Sequence, residues 1–173
     1  MISRALIAIA GIISIILATL SIASINNVEK SDNKINIQLI REKVKLIDFN
    51  VVENIGVEES DTIIIHNDGV ALFDSKDRSE KLNINTNDLA KLKSLVLESG
   101  LMYIPNNEFN KSTRDTFIKY TLMINVDSEK KEFVWIEDII EDEPSSVPPL
   151  LIHIKDTIYC ITGKAELYSI RCS

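Results

Sequence analysis

"DTFIKYTLMINVDSEKKEFVWIED", residues 115–138, alternates apolar and polar side chains on both sides of a charged turn. Successive side chains of a strand point to opposite faces of a sheet, so the alternation predicts a β-hairpin with one strongly apolar face. We place its turn at "DSEKK" and expect the hairpin to form the middle of a sheet. The first strand would point one set of side chains to one face: Ile118, Tyr120, Leu122, Ile124 and Val126.

More strands are expected upstream of this hairpin. Residues 61–76, "DTIIIHNDGVALFDSK", place two apolar runs around Asn67-Asp68-Gly69. Asp-Gly is a strong hairpin signal because both central residues of a tight turn can take positive φ. "KLNIN", residues 81–85, predicts a short further strand. Residues 35–55 fit either one long bent strand or a strand followed by irregular structure.

Two segments show the apolar spacing of helices, residues 86–100 and the segment that ends at Gly163. Residues 164–173, "KAELYSIRCS", are expected to form a last strand or a tail. The expected capping and ending residues are Thr86 or Asn87 and Gly100 for the first helix, and Ser145 or Ser146, Pro148 or Pro149 and Gly163 for the second.

The order of these elements is strand pair, helix, strand pair, helix, which indicates an α+β domain. We predict an antiparallel sheet of about four to six strands with two helices packed on one face, preceded by an N-terminal transmembrane helix. The chain then divides into residues 1–25 as transmembrane anchor or signal peptide, 26–34 as polar tether and 35–173 as the extracytoplasmic domain.

The N-terminal segment decides the expected location. Residues 5–25 contain no charged side chain, and a run of this length can span a hydrocarbon core of about 30 Å. Arg4 before it favours a single-pass protein in the cell membrane with its C-terminal domain outside the cytoplasm. Ser21 and Ala23 also form a small-x-small pattern, so secretion after signal cleavage stays open as the alternative.

Charge and cysteine content limit the partners and the compartment. The net charge of −7 argues against nucleic acid as a partner, because phosphates would be repelled. Cys160 and Cys172 are the chain's two cysteines, and in an exported domain an even, closely spaced pair suggests a disulfide. The alternative is two unrelated thiols.

We find no motif for catalysis. His66 and His153 fall on different elements, with no metalloprotease or nucleophile-elbow pattern, and the five glycines are scattered singly. No catalytic residue, cofactor, metal ligand or small-molecule substrate is therefore predicted, and the protein is not expected to be an enzyme.

An acidic run follows the hairpin and leaves two readings open. It could hold Ca²⁺ through carboxylate oxygens, but it lacks the order of known calcium loops, and we favour a solvated loop before a helix N-terminus. The run comprises Glu137, Asp138, Glu141, Asp142 and Glu143.

Several residues are candidates for contacting a partner. They are Asn67, Asp68 and Gly69 in the hairpin turn, and Tyr103 and Phe109 in the loop after the first helix. Trp135 could join an aromatic patch with these, although the centre of a strand favours a place in the core. Asn110 begins an Asn-Lys-Ser acceptor sequence for N-glycosylation.

From Asp61 to about Thr162 the chain resembles the emfourin-like family, small proteinaceous inhibitors of thermolysin-like metalloproteases. The resemblance rests on the first hairpin, "LNINTNDLAKLKSLVLESGLMYIP", "DTFIKYTLMINV", "KEFVWIED" and "PSSVPPLLIHI". It implies the same scaffold and a metalloprotease partner. Family members commonly carry an arginine and a Gly-Gly-Phe-type stretch in the first hairpin, where this chain has one glycine. No inhibitory residue is carried across.

We therefore expect a non-enzymatic, membrane-anchored, extracytoplasmic domain that binds a protein partner. Emfourin-like inhibition of a metalloprotease is the first alternative, and binding of a divalent cation is the second.

Overall fold

The computed structural model describes residues 33–46, 55–105, 108–109, 115–138 and 147–172. Apart from Asn33, they belong to one compact unit, Lys34–Ser173. The predicted anchor, Ser145, Ser146 and Asn110 lie outside the described residues. Within the described part of the chain, no helix is long and apolar enough to cross a membrane.

A mixed but almost wholly antiparallel sheet forms the body of the domain. In the described ranges it has seven strands in the spatial order β4-β3-β2-β1-β6-β7-β5, and only the two-residue β5 runs parallel to its neighbour β7. The predicted α+β class and antiparallel sheet are confirmed. The strands are β1 (Ile35–Leu46), β2 (Ile55–Ile65), β3 (Val70–Ser75), β4 (Arg78–Asn83), β5 (Glu108–Phe109), β6 (Thr116–Val126) and β7 (Glu129–Asp138).

The predicted 115–138 hairpin is present as β6 and β7. Its turn is tighter than "DSEKK", because Val126 already pairs with Glu129 and only Asp127 and Ser128 lie between them. Asp127 adopts a positive φ of 52°, which an aspartate tolerates better than most residues.

The reading of residues 35–55 as a single strand is wrong. β1 ends at Leu46, with an irregular register between Lys43 and Val44, and β2 begins at Ile55 as a separate strand. The sequence "GVEES" at the start of β2 is poor in strand formers. Lys43 on β1 supports it by pairing with Glu58 and Glu59 at 3.2 and 3.7 Å.

One face of the sheet carries the hydrophobic core. The register aligns every second residue of adjacent strands, so that Leu39 stands between Ile63 and Leu122, all of them buried. Trp135 belongs to the same face and is 0% exposed, so it lies in the core and not in an aromatic patch.

Two helices cover this face, α1 (Thr86–Glu98) and α2 (Pro149–Ile161). The side chain of Asn85, rather than Thr86 or Asn87, caps α1 by accepting bonds from the backbone N–H groups of Asn87 and Asp88 at 2.8 and 3.2 Å. α2 begins with proline, as expected. The helices' buried residues join the core of the sheet: Leu92 and Val96 from α1, and Leu151, Ile154, Lys155, Ile158 and Tyr159 from α2.

Both helices are followed by glycine with positive φ, Gly100 at 81° and Gly163 at 68°, as predicted. The residues after Gly163 form a short 3₁₀ helix, Ala165–Tyr168, and not a strand. The Cys160–Cys172 disulfide is present, with 12 residues of sequence separation, and it ties this C-terminal segment to the end of α2.

The turn between β2 and β3 spans Asn67-Asp68-Gly69, as predicted, but only one residue of the Asp-Gly pair takes a positive φ. The His66 N–H donates to Val70 O at 2.9 Å, and this bond closes a loop of three residues. Of the three, only Gly69 has a positive φ, 87°. A three-residue loop with glycine in the left-handed position is the next most common hairpin turn. Gly69 also packs closely on its surroundings, because a Cβ there would lie 3.3 Å from Ile84 O.

We predict that Gly69→Ala destabilises the domain more than Gly100→Ala. Both positions have positive φ, so alanine costs about 1–2 kcal/mol at either one. At Gly100, however, a Cβ would meet nothing within 4 Å. The free energy of unfolding, measured by urea titration, gives the comparison. Equal losses would show that the contact at Ile84 relaxes without cost.

Candidate functional site

Arg41 lies at the centre of a polar cluster on the core face of the sheet. The register places it beside Asp61 on β2 and Tyr120 on β6. Its Nη1 lies 3.4 Å from Asp61 Oδ2, with only 15% and 14% of the two side chains exposed. The positive charge of Arg41 also acts on Tyr120, where it opposes the rise that burial causes in the pKa of the phenol. Charged side chains this far from water need such partners, which explains why the cluster is compact.

Tyr168 completes the cluster from the C-terminal 3₁₀ helix. Its hydroxyl donates to Asp61 Oδ2 at 2.8 Å, and the Arg41 guanidinium lies over its ring at 4.9 Å from the centroid. Its ring also packs against that of Tyr159 at 4.5 Å. Burial, the bond to Asp61 and the negative charge of Asp61 raise the pKa of Tyr168. The phenol therefore stays protonated and acts as a donor.

A second set of contacts extends the cluster along β6 and β7. Tyr120 stacks on Trp135 at 5.3 Å between ring centroids, and the Trp135 indole donates to Glu137 Oε1 at 3.0 Å. Lys155 from α2 donates to both oxygens of Glu137 at 2.8 and 3.0 Å. Burial, followed by the charge of Glu137, raises the pKa of Tyr120.

Beside Arg41 the surface opens into a cleft of about 470 Å³, which we call the Arg41 cleft. Its volume falls in the range of ligand-binding sites, roughly 300–1,000 Å³, but the cleft is shallow and widely open to solvent. Leu167, on its rim, is 55% exposed. The cleft is lined by Arg41, Glu59, Asp61, Phe73, Ser75, Asp77, Arg78, Leu167 and Tyr168.

Two cations hold the side of the cleft formed by β3 and β4. Lys164 and Arg78 both lie over the ring of Phe73, at 4.5 and 5.6 Å from its centroid. Both also pair with Glu80, whose pKa is lowered mainly by the hydrogen bond from Lys164. The cleft is thus lined by charged side chains and by the ring of Phe73, which both cations contact.

The Arg41 cleft presents both polar and apolar groups. It offers guanidinium donors, carboxylate acceptors, one phenol and an exposed leucine. His153 is exposed on α2, and His66 adjoins the β2–β3 turn, so neither lines the cleft. Among the described residues, no group of three or more His, Cys, Asp or Glu side chains could hold a metal ion. Glu137 of the acidic run is paired with Lys155, and residues 139–146 lie outside the described ranges.

The partner-contact residues predicted from the sequence lie away from this cleft. The Asn67-Asp68-Gly69 turn is at the opposite end of β2 and β3, where Asn67 accepts a bond from Ile35 N at 3.1 Å. Tyr103 is 89% exposed, and the neighbouring Ile104 O accepts from Lys131 near the β6–β7 turn. Phe109 packs against the core.

The periodicity of β1 alone could have identified Arg41 as a candidate site residue. Ile35, Ile37 and Leu39 mark the core face of β1, and the next position on that face is Arg41. A charged residue at a core position requires a compensating partner. Asp61 occupies the same relation to Ile63 and Ile65 on β2.

The sequence matches no protein-family model and none of the curated proteins. The resemblance to emfourin-like inhibitors therefore stays a prediction.

We predict that Tyr168→Phe lowers the free energy of unfolding by about 1.5 kcal/mol at pH 8, because Asp61 loses a hydrogen bond to its charged carboxylate. Tyr103→Phe is the control. It changes an exposed ring and should alter stability by less than about 0.5 kcal/mol.

The same variant makes a prediction about pH. The folded state raises the pKa of Tyr168, so its contribution is complete below the unfolded value of about 10 and declines as the pH rises above it. The stability difference between the wild type and Tyr168→Phe should therefore shrink between pH 8 and pH 10.5 in urea titrations. A constant difference would contradict the proposed burial of this phenol.

We also predict that the double variant Cys160→Ser/Cys172→Ser loses about 3 kcal/mol, because the disulfide closes a short loop in the unfolded chain. Urea unfolding of the oxidised wild type and of the variant measures the loss. The wild type unfolded in the presence of a reductant is the control and should match the variant. An unchanged free energy of unfolding would mean that the bridge adds nothing to stability.

Proposed function

We propose that this protein is a membrane-anchored, extracytoplasmic protein-interaction domain, without enzymatic activity, that binds its partner at the Arg41 cleft. The observation that carries the proposal is the combination of an ordered Arg41–Asp61–Tyr168 wall with the exposed Leu167 on its rim. Arginine and tyrosine are enriched among the residues that dominate protein–protein binding energy.

The proposed location rests on two independent features. One is the uncharged run at residues 5–25. The other is the disulfide, since such bonds form and persist in oxidising compartments outside the cytoplasm. The bond also keeps Tyr168 and Leu167 next to the sheet, so the compartment would support the site's geometry.

The cleft suggests the chemistry of the partner. Asp61 and Arg41 already satisfy each other, so a partner gains little by displacing either. Arg78 is half-exposed on the rim and can meet an acidic group, and Leu167 can receive an apolar side chain. We therefore expect a protein segment that carries an acidic residue next to an apolar one.

Site-specific photocrosslinking of the full chain in its membrane tests the proposal. A benzophenone amino acid replaces Glu59, an exposed residue of the cleft, or Glu98, an exposed residue of α1, as the matched control. We expect a discrete adduct with another protein from position 59 only. It should disappear with Leu167→Asp and persist with Leu97→Asp, which alters an exposed leucine on α1. Adducts from both positions, or none from position 59, would refute a binding site at the cleft.

Inhibition of a metalloprotease is a second candidate function, favoured by the hydrogen bonds that hold the β2–β3 turn in place. An inhibitor needs a loop that resists rearrangement. Here Asn67 is hydrogen-bonded to Ile35 and Lys93. Asp68 accepts a bond from Val70 N at 3.0 Å and remains exposed. The test is the activity of a thermolysin-like metalloprotease titrated with the full chain in mild detergent. Stoichiometric inhibition that is weakened by Asp68→Lys supports it. Full protease activity at excess protein excludes it.

A further inference from the structure

β4 forms one edge of the sheet. It pairs with β3 on one side, and no strand of the described residues pairs with its other side. At the opposite edge, by contrast, β7 is bordered by β5. An edge strand presents a row of backbone donors and acceptors that another strand can use.

The register identifies which backbone groups of β4 face outward. Ser75 pairs with Arg78 across the two-residue turn, and Ile84 N–H bonds to Gly69 O at 2.9 Å further along the same ladder. Hydrogen-bonded pairs alternate along an antiparallel ladder, so the even-numbered residues of β4 bond to β3. The N–H and C=O groups of Ser79, Lys81 and Asn83 therefore point away from the sheet.

The charges along this edge complement themselves. Residues 77–81 read Asp-Arg-Ser-Glu-Lys. If a second copy runs antiparallel about Ser79, Arg78 stands opposite Glu80 of the second copy, and Asp77, the turn residue directly before β4, adjoins its Lys81. Two-fold symmetry repeats both pairs, which gives four opposite-charge pairs around one serine pair. Pairs of this kind stabilise adjacent strands, whereas like charges directly opposite destabilise them.

Neighbouring registers lack this complementarity. Hydrogen bonds between the two copies must join the outward-facing, odd-numbered residues of both strands. This holds when the two-fold axis is centred on any residue of β4, and each centre defines a different register. An axis centred on Glu80 places the Glu80 residues of the two copies opposite each other, and an axis centred on Lys81 does the same with the two Lys81 residues. Charged edge residues commonly prevent edge pairing by such repulsion. Here the register centred on Ser79 avoids it.

We propose that two copies of this protein associate through β4, antiparallel and centred on Ser79, to form one continuous sheet across a two-fold axis. Such an interface uses the same patch on both copies. Arg78 uses its Nε to bond Glu80 within its own chain at 2.6 Å. Its guanidinium carries five N–H donors, which leaves donors for the second copy. Asp77 and Lys81 are exposed.

Cysteine crosslinking of the full chain in mild detergent tests the register. The chain's two cysteines are joined in the native disulfide, so an introduced cysteine is the sole thiol. Residues facing each other in a hydrogen-bonded antiparallel pair have Cα atoms about 5.5 Å apart, within reach of a disulfide. Ser79→Cys should form a disulfide-linked dimer under mild oxidation. Lys81→Cys and Asn83→Cys, on the same edge, are the matched controls and should stay largely monomeric.

Sedimentation of charge variants tests the interactions. Lys81→Glu should weaken association by about tenfold or more, because two symmetry-related attractions become repulsions. Asp77→Lys combined with Lys81→Glu restores opposite charges and should return association to within about threefold of the wild type. Lys76→Glu, just outside the pairing, makes the same charge change as a control and should have little effect.

Each other outcome contradicts the proposal. A wild type that sediments as a monomer at every protein concentration tested excludes the dimer. Equal crosslinking at positions 79, 81 and 83 indicates random collision, and dominant crosslinking at position 81 indicates another register. Dimers that form without a Ser79→Cys crosslink use another surface. The Arg41 cleft is tested separately, by the heterologous adduct at position 59, so failure of the dimer and failure of the cleft are distinguishable.

Discussion

The burial of one sheet face by two helices is the constraint on which the rest of this structure depends. It favours apolar residues at every second position of β1, β2, β6 and β7, and a charged side chain on that face must find its partners there. Arg41 is such a side chain. Asp61 and Tyr120, its register neighbours, and Tyr168 from the C-terminal segment supply the compensation. The candidate site is thus a consequence of where one arginine falls in the alternation.

The C-terminal segment takes part in this site although little secondary structure holds it. A 3₁₀ turn, the disulfide to α2 and the aromatic contact with Tyr159 fix its position. The bridge restricts the conformations of this segment in the unfolded chain. Folding therefore loses less conformational entropy when it places Tyr168. The disulfide therefore supports the cleft as well as the general stability of the domain.

Local patterns allowed most of the fold to be predicted, and long-range pairing explains the rest. The alternation in residues 115–138 identified β6 and β7, and the glycines after each helix identified both helix ends. The start of β2 was missed because glutamates and serine form poor strands alone, and their support comes from Lys43 on another strand. The Arg41 cleft joins residues as far apart as Asp61 and Tyr168, a proximity that no local spacing encodes.

The position of β4 connects the cleft with the edge of the sheet. Arg78 lines the cleft, lies over Phe73 and pairs with Glu80, while the backbone groups of its neighbour Ser79 face outward. β4 is held on its inner side by a full ladder to β3, and on the core face by Lys164. An edge that is held in this way is already in the conformation that a pairing strand needs, so association would cost little additional ordering. The contacts that order the wall of the cleft thereby also order the outer edge of the sheet.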